Sequence, residues 1–270
     1  MELMPIVPLP YLHLADQNNK HLILSGLLKE HQYFEYYKKR RSQGDYIILD
    51  PGSYENHQLD VREYVSFGEE IDVQELMVPD AILDTKRTIE LADEFFDRVE
   101  PSFLSHFRLE IVPQGRTFQD YKWCLHELLI RALKVVPKEN IVIGISKASG
   151  DVAVREITLT SKCHINRPLA VKFVHALCPR IEIHLLGLVD PVELFSYCDD
   201  PLVTGVDTTA PFNHAICGKS YAKDWIFEEY PSFETLPRID LKGPLKEEEL
   251  GLATNNLRLL TKFCRSVGRR

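Results

Sequence analysis

The chain has 270 residues, of which 44% are hydrophobic and 27% are charged, and its formal net charge is −8. This composition is typical of a globular protein with one large domain or two small ones. No apolar run approaches the roughly 20 residues of a membrane-spanning helix, and the first residues lack the pattern of a signal peptide. We therefore expect a cytoplasmic protein that does not insert into a membrane. The acidic balance argues against broad, non-specific binding of nucleic acids, which needs many cations.

Six cysteines are scattered along the chain without a Cys-x-x-Cys pair. This distribution is typical of reduced thiols rather than of a disulfide framework. Cys163-His164 and His214-x-x-Cys217 resemble fragments of a metal site. Because neither has a second ligand pair at short spacing, we interpret both as structural and expect no metal and no cofactor.

Apolar runs alternate with amphipathic stretches along the chain, which predicts strands that alternate with helices. Seven runs are predicted as strands: 21–26, 45–50, 75–80, 108–114, 140–146, 181–188 and a last run that ends at Asp207. Helical stretches are predicted at 33–41, 85–99, 118–135, 169–177, 191–197 and 247–267. The best candidate for an eighth strand is 238–241.

This alternation predicts a parallel sheet with right-handed crossovers. Seven or eight such units in 270 residues favour a (β/α)8 TIM-type barrel over a doubly wound sheet. No Gly-x-Gly-x-x-Gly or P-loop motif follows a predicted strand, so a dinucleotide or P-loop site has little support. We predict a single barrel domain over 1–270, with an irregular insertion at 211–244 near the active face and a C-terminal helix.

Small or polar residues stand where the predicted strands end. These strand tips are Asp50, Asp80, Gln114, Gly144, Gly187 and Asp207. Each one alone also fits a turn or a helix cap. In a barrel, however, the carboxyl ends of the strands converge on one mouth, so the set predicts a shared site.

Carboxylates, an amide and glycines together suit chemistry on a guanine nucleotide. A carboxylate accepts hydrogen bonds from the N1–H and the exocyclic amine of guanine, and an amide or a backbone N–H donates to O6. A second carboxylate can attack an anomeric carbon, and a third can move the proton. Glycines at strand tips let a sugar or a base approach the backbone closely.

The order of these tips resembles that of the tRNA-guanine transglycosylases. The resemblance is closer to the DNA-modifying branch, the phage and bacterial enzymes that place 7-deazaguanines in DNA. It covers roughly residues 47–209. The segments that carry it are Ile47-Ile48-Leu49-Asp50-Pro51-Gly52-Ser53-Tyr54, Val78-Pro79-Asp80, Val112-Pro113-Gln114-Gly115, Ile143-Gly144-Ile145, His184-Leu185-Leu186-Gly187-Leu188 and Gly205-Val206-Asp207-Thr208-Thr209.

The resemblance implies a (β/α)8 barrel and a pentosyltransferase that swaps guanine for a 7-deazaguanine such as 7-cyano-7-deazaguanine. Asp207 matches the nucleophile that forms the covalent aspartyl-glycosyl intermediate, and Asp50 matches a general acid/base. The implied substrate-binding residues are Asp80 at the guanine edge, Gln114 and Gly144 facing O6, Gly187 near the ribose, and Ser53. The implied location is the host cytoplasm if the protein is encoded by a phage.

Two departures from the family favour DNA over tRNA as the substrate. The zinc-binding Cys-x-Cys-x-x-Cys motif of the tRNA enzymes is absent from the sequence. Their tRNA-binding arginines after the nucleophile are replaced by 210–214, Ala-Pro-Phe-Asn-His. Three alternatives stay open: a tRNA enzyme, a retaining nucleoside or glycoside hydrolase that uses Asp207 and Asp50, and a catalytically silent nucleic-acid-binding subunit. A homodimer also stays open.

Overall fold

Eight parallel strands form a nearly closed barrel in the computed structural model, which describes residues 1–53, 59–148, 163–222 and 238–267. The strands are β1 (Glu2–Pro5), β2 (Lys20–Leu24), β3 (Tyr46–Asp50), β4 (Glu75–Met77), β5 (Arg108–Ile111), β6 (Ile141–Ser146), β7 (Glu182–Leu186) and β8 (Val203–Thr208). Their order in the sheet is β1-β8-β7-β6-β5-β4-β3-β2. The predicted (β/α)8 TIM-type barrel, with its C-terminal helix, is therefore confirmed.

Helices lie between successive strands and cover the outside of the barrel. They are α1 (His31–Ser42), α2 (Val61–Ile71), α3 (Thr85–Arg98), α4 (Pro101–Leu104), α5 (Phe118–Ala132), α6 (Cys163–Leu177), α7 (Ala210–Ile216) and α8 (Glu247–Val267). Short 3-10 turns occupy Leu9–Ala15, Ser25–Leu27, Lys138–Asn140 and Pro191–Tyr197. Among the described helices, none combines the length and the apolar composition that a membrane-spanning segment needs.

Helix α3 illustrates how the sequence sets an element. The Asp84 side chain accepts a hydrogen bond from the backbone N–H of Arg87, which caps the helix start. Leu91, Ala92 and Phe95 recur at helical spacing and are buried. This apolar stripe packs the helix into the main core, while the opposite face carries charged residues.

The eighth strand is β1 at the start of the chain, so the prediction of a strand at 238–241 was wrong. β1 pairs with β8 in parallel register, with Met4 opposite Asp207. Residues 238–241 form no strand; Ile239 instead donates its backbone N–H to the Asn213 side chain at 3.0 Å. β1 is four residues long and ends in proline, so its strand pattern is weak without its distant partner.

The barrel is joined loosely between β1 and β2. These strands are neighbours. The backbone hydrogen bonds of the described strands, however, pair β1 with β8 and β2 with β3, and not β1 with β2. The side-chain amide of Asn18, just before β2, donates to the carbonyl of Leu3 in β1 at 2.5 Å. A buried side chain thus links the two strands where backbone pairing ends.

The predicted insertion at 211–244 begins inside a helix, because α7 covers 210–216. Residues 223–237 lie outside the described part of the chain. The segment that follows is irregular and lies at the barrel mouth, where the carbonyl of Leu241 accepts a hydrogen bond from the N–H of Leu9 at 2.8 Å. The full extent of the insertion stays a prediction.

Candidate active site

A cavity of about 200 Å³ opens at the carboxyl ends of the strands. A cavity of about 150 Å³ can hold benzene, so this volume suits a molecule of one or two fused rings. The cavity brings together six of the seven predicted site residues: Asp50, Ser53, Asp80, Gln114, Gly187 and Asp207. Apolar side chains from several strands make up much of the remaining wall, which is typical of a small-molecule site.

Asp207 lies near the end of β8 and is 6% exposed. Its Oδ1 accepts a hydrogen bond from the backbone N–H of Gly187 at 3.1 Å. Gly187 has a φ of 70°, a left-handed conformation that glycine adopts without strain. The turn after β7 therefore orients the Asp207 carboxylate, and a side chain at residue 187 would strain that turn.

Two buried residues, His184 and Glu110, lie behind Asp207 and are not among the site residues predicted from the sequence. Nδ1 of His184 lies 3.0 Å from both carboxylate oxygens of Glu110, and Nε2 lies 3.4 Å from Oδ1 of Asp207. Burial alone lowers the pKa of His184, but the facing carboxylates of Glu110 and Asp207 outweigh it and raise the pKa to about 10. His184 is therefore an imidazolium at neutral pH.

A sequence signal for these two residues exists. Glu110 stands two residues before Val112 and four before Gln114, and alternate residues of a strand share a face. Glu110 therefore lies on the same face of the predicted strand as Gln114, and this shared face indicates that its side chain also points into the barrel. His184 similarly interrupts the apolar run of β7.

Asp80, Gln114 and Ser53 form a hydrogen-bonded group in the cavity wall. The Gln114 amide donates to Asp80 Oδ2 at 2.5 Å, and its Oε1 accepts the N–H of Leu83 at 3.1 Å, which sets the amide orientation. Burial raises the pKa of Asp80 to about 6, although hydrogen bonds from Ser53 and Gln114 partly offset it. Asp80 is thus a buried carboxylate with neutral hydrogen-bond donors around it.

Asp50 ends β3 and lines the same cavity. Its Oδ1 accepts a hydrogen bond from the backbone N–H of Gly52 at 2.7 Å, and the side chain is half-buried. This bond fixes one oxygen in a turn and leaves the carboxyl group at the cavity surface. Such a position suits a group that exchanges protons with a bound molecule.

Gly144 does not line the cavity and is the exception among the predicted site residues. It lies in β6 between Glu110 and His184, where a Cβ would overlap Oε1 of Glu110 and approach Leu186 Cδ1 to 2.9 Å. Its glycine identity therefore serves the packing of the buried glutamate. A direct contact of Gly144 with a bound base has no support in this geometry.

A buried charge cluster forms another part of the wall. Lys147 lines the cavity and donates to Glu193 at 3.0 Å, and Arg167 donates to the same carboxylate at 2.5 Å. Burial alone raises the pKa of Glu193, but these two cations outweigh it and lower the pKa to about 2. The cluster places a lysine at the cavity surface, where no sequence pattern predicts one.

The two candidate metal fragments are described only in part. Cys163 and His164 have side chains outside the described part, while His214 contacts the Tyr221 hydroxyl at 2.9 Å. Among the described residues, no group of three His, Cys, Asp or Glu side chains is arranged to hold a metal ion.

Comparisons of the chain with protein-family models and with curated proteins return no match.

Proposed function

We propose that the protein is a guanine transglycosylase that exchanges guanine in DNA for a 7-deazaguanine base through a covalent aspartyl-glycosyl intermediate. One observation carries the proposal: Asp207, Asp50 and the hydrogen-bonded pair of Asp80 and Gln114 face one cavity of about 200 Å³. A base-exchange reaction needs a nucleophile, a proton carrier and a base-recognition pair around the same bound ring.

Asp80 and Gln114 supply the groups that recognise guanine. The N1–H and the exocyclic amine of guanine are adjacent donors, and one carboxylate accepts both. The Gln114 amide nitrogen carries two protons, so it can donate to Asp80 and also to O6 of the base. A 7-deazaguanine keeps N1–H, the amine and O6, so the same pair serves the leaving and the incoming base.

The exchange proceeds in two displacements at C1′ of the nucleotide. First, an Asp207 oxygen bonds to C1′ while the C1′–N9 bond breaks, and the departing guanine takes its electron pair and a proton from Asp50. Next, N9 of the incoming base bonds to C1′ and gives its proton to Asp50 while the ester C1′–O bond breaks. The electron pair of that bond returns to Asp207. Two inversions leave the configuration retained.

The target nucleotide has to leave the stacked duplex, because a cavity of this size holds a single base. The segment after the nucleophile supports DNA over tRNA. Helix α7 starts directly after it, and residues 210–215 are all buried. The position of the tRNA-binding arginines in the resembling enzymes therefore carries no exposed cation here.

The decisive experiment follows labelled guanine. DNA and tRNA that carry radiolabelled guanine are incubated with the protein, with and without 7-cyano-7-deazaguanine, and the Asp207→Asn variant serves as the matched control. Loss of label from DNA that depends on the added base supports the proposal. DNA is supplied both as duplex and as single strand. If base flipping limits the rate, exchange should be faster in the single strand, because its bases are already unstacked.

The other outcomes point to the alternatives. Label loss from tRNA alone would replace DNA by tRNA as the substrate. Release of guanine without any added base would indicate a hydrolase that uses the same carboxylates. No loss from either nucleic acid would overturn the proposal in favour of a catalytically silent subunit.

A further inference from the structure

The strongest unassigned feature of the molecule is the contact between both ring nitrogens of His184 and carboxylates. Nδ1 lies 3.0 Å from Glu110, Nε2 lies 3.4 Å from Asp207, and the residue is 1% exposed. A neutral imidazole has one N–H and one lone pair. Either neutral form would thus turn a lone pair toward a buried carboxylate, whereas the imidazolium presents an N–H to each.

A glycine makes room for this arrangement. Gly144 in β6 and Gly205 in β8 are the register partners of His184 on its two sides. Glu110 lies in β5, so its side chain reaches across β6 to contact β7, and it passes over the space that a side chain at 144 would fill. A Cβ at Gly205 would lie 3.7 Å from Cδ2 of His184, an ordinary contact, so Gly205 does not serve the pair in this way. The sheet is thus built around a buried histidine and glutamate.

Further charges surround the pair from the neighbouring strands. Glu75 of β4 faces Glu110, and burial together with that negative charge raises the pKa of Glu75 to about 7. Lys20 of β2 and Arg108 of β5 act in the opposite direction and stabilise the Glu75 carboxylate. The positive charges of Lys20 and Arg108 therefore offset the negative charge of Glu75. Glu110 and Asp207 are the charges that face His184 directly.

We propose that Glu110 and His184 are positioning residues for Asp207. Glu110 holds His184 as an imidazolium, and His184 holds Oδ1 of Asp207 so that Oδ2 faces C1′. This inference rests on the proposed base exchange.

We call Glu110, His184 and Asp207, in that order of contact, the relay. The relay acts chiefly on the second displacement of the exchange. When the ester C1′–O bond breaks, its electron pair returns to Asp207 and a negative charge reappears in a buried site. The imidazolium stabilises this charge without transferring a proton. In the first displacement the same charge disappears, so the imidazolium supplies orientation rather than charge stabilisation. Loss of the positive charge should therefore slow ester breakdown more than ester formation.

The test measures exchange and the covalent intermediate together. In His184→Gln we expect guanine exchange to fall roughly 10²-fold, while the fraction of protein covalently joined to DNA after a denaturing quench rises above wild type. Glu110→Gln keeps the size of the side chain and removes its charge, so the alkaline loss of exchange should move to lower pH. A merely structural role would change neither the adduct fraction nor the pH profile.

His175→Gln is the matched control, because His175 also contacts a carboxylate, Asp200, at 2.7 Å but lies away from the cavity. It should exchange base and form adduct as wild type does. A second readout does not depend on activity: ¹⁵N NMR of labelled histidines should show a doubly protonated ring at pH 8.5 whose signal is lost in His184→Gln.

The outcomes separate this inference from the proposed function. If wild type exchanges base and His184→Gln has wild-type kinetics and adduct, the relay is refuted while the function stands. If wild type exchanges no base, the proposed function fails, and the NMR measurement judges the relay. Absence of a protonated ring at pH 8.5 would overturn it, and its presence would support the buried imidazolium.

Discussion

Two histidines of the barrel, His21 and His184, have nearly the same surroundings by simple measures and opposite protonation. Each lies in a strand, is 1% exposed and contacts a carboxylate oxygen within 3.0 Å. The pKa of His21 is nevertheless lowered, whereas that of His184 is raised to about 10. Burial and the presence of one acidic partner therefore do not decide the charge of a histidine.

The difference lies in the net charge that faces each ring. Burial is the largest effect on His21 and lowers its pKa, and its partner Asp45 does not outweigh this. That carboxylate also accepts the Nε–H of Arg40 at 2.6 Å, so a cation shares its charge. His184 faces two carboxylates, Glu110 and Asp207, which together overcome the cost of burial.

Position in the barrel explains the two roles. The ring of His21 packs edge-on against Tyr37 of α1, between the sheet and the helix layer. The ring of His184 faces the barrel interior and contacts the residue that we propose as the nucleophile. The outer pair holds a helix on the sheet, while the inner pair sets the charge at the cavity.

Asp207→Asn should have the largest effect. The amide cannot form the glycosyl ester, so we expect exchange to fall at least about 10⁴-fold, as for loss of other nucleophiles, while DNA binding persists. One of the two carboxylates facing His184 also disappears, so the pKa of His184 should fall while that of His21 stays unchanged. Labelled-guanine exchange and histidine NMR measure the two effects, and full activity in the variant would refute the nucleophile.

Asp80→Asn tests whether burial also shifts the pKa of a carboxyl group, as it does for the histidine His21. Burial raises the pKa of Asp80 to about 6, and its described partners are neutral. Because the proposed base binding needs the carboxylate, kcat/KM for the incoming base should fall as the pH drops below about 6. Asp80→Asn should lose roughly 10²-fold in kcat/KM and lose this pH dependence. A variant that keeps the wild-type pH profile would show that another group titrates.

Gly144→Ala should disturb His184 without touching the cavity. The new methyl group would displace the Glu110 carboxylate and press on Leu186, which we expect to destabilise the fold by about 1–3 kcal/mol. Displacement of Glu110 should also lower the pKa of His184. The control is Gly251→Ala in α8, which has open space around it and should stabilise slightly. Urea unfolding of both variants measures the difference, and equal stabilities would contradict the packing argument.

The strands that the sequence predicts well are those with continuous apolar runs. The prediction of 140–146 agrees within one residue with β6, Ile141–Ser146, because all six of its residues are buried. β1 escapes this reasoning, since its four residues form a ladder with a strand some 200 positions later. Local patterning contains no information about such a distant partner.

The residues of the candidate site also fall into a group that the sequence predicts and a group that it does not. Asp50, Asp80, Gln114 and Asp207 are predictable because each interrupts an apolar run at its end, where the fold brings strand tips together. The charges inside the barrel are harder to predict, because their environment depends on which strand lies across the interior. Whether Glu110 meets His184 depends on a glycine in the strand between them, and no local pattern reports that neighbourhood.

The smallest expected effect is on stability in acid, and it depends on the sign of each histidine's shift. The pKa of His21 is lower in the folded protein than the ordinary 6.5, so below pH 6.5 the unfolded state binds an extra proton and stability falls with falling pH. His184 acts in the opposite sense: its contribution is full below pH 6.5 and is lost as the pH rises through about 10.

Replacement of His21 by asparagine should remove its part of the acid slope and leave the alkaline limb intact. Urea unfolding of wild type and His21→Asn between pH 5 and about 10 measures both limbs, and the slope is informative even if the variant is less stable at every pH. If the two profiles are parallel, the pKa of His21 is the same in the folded and the unfolded protein. That result would contradict both the lowering of this pKa by burial and the contrast with His184.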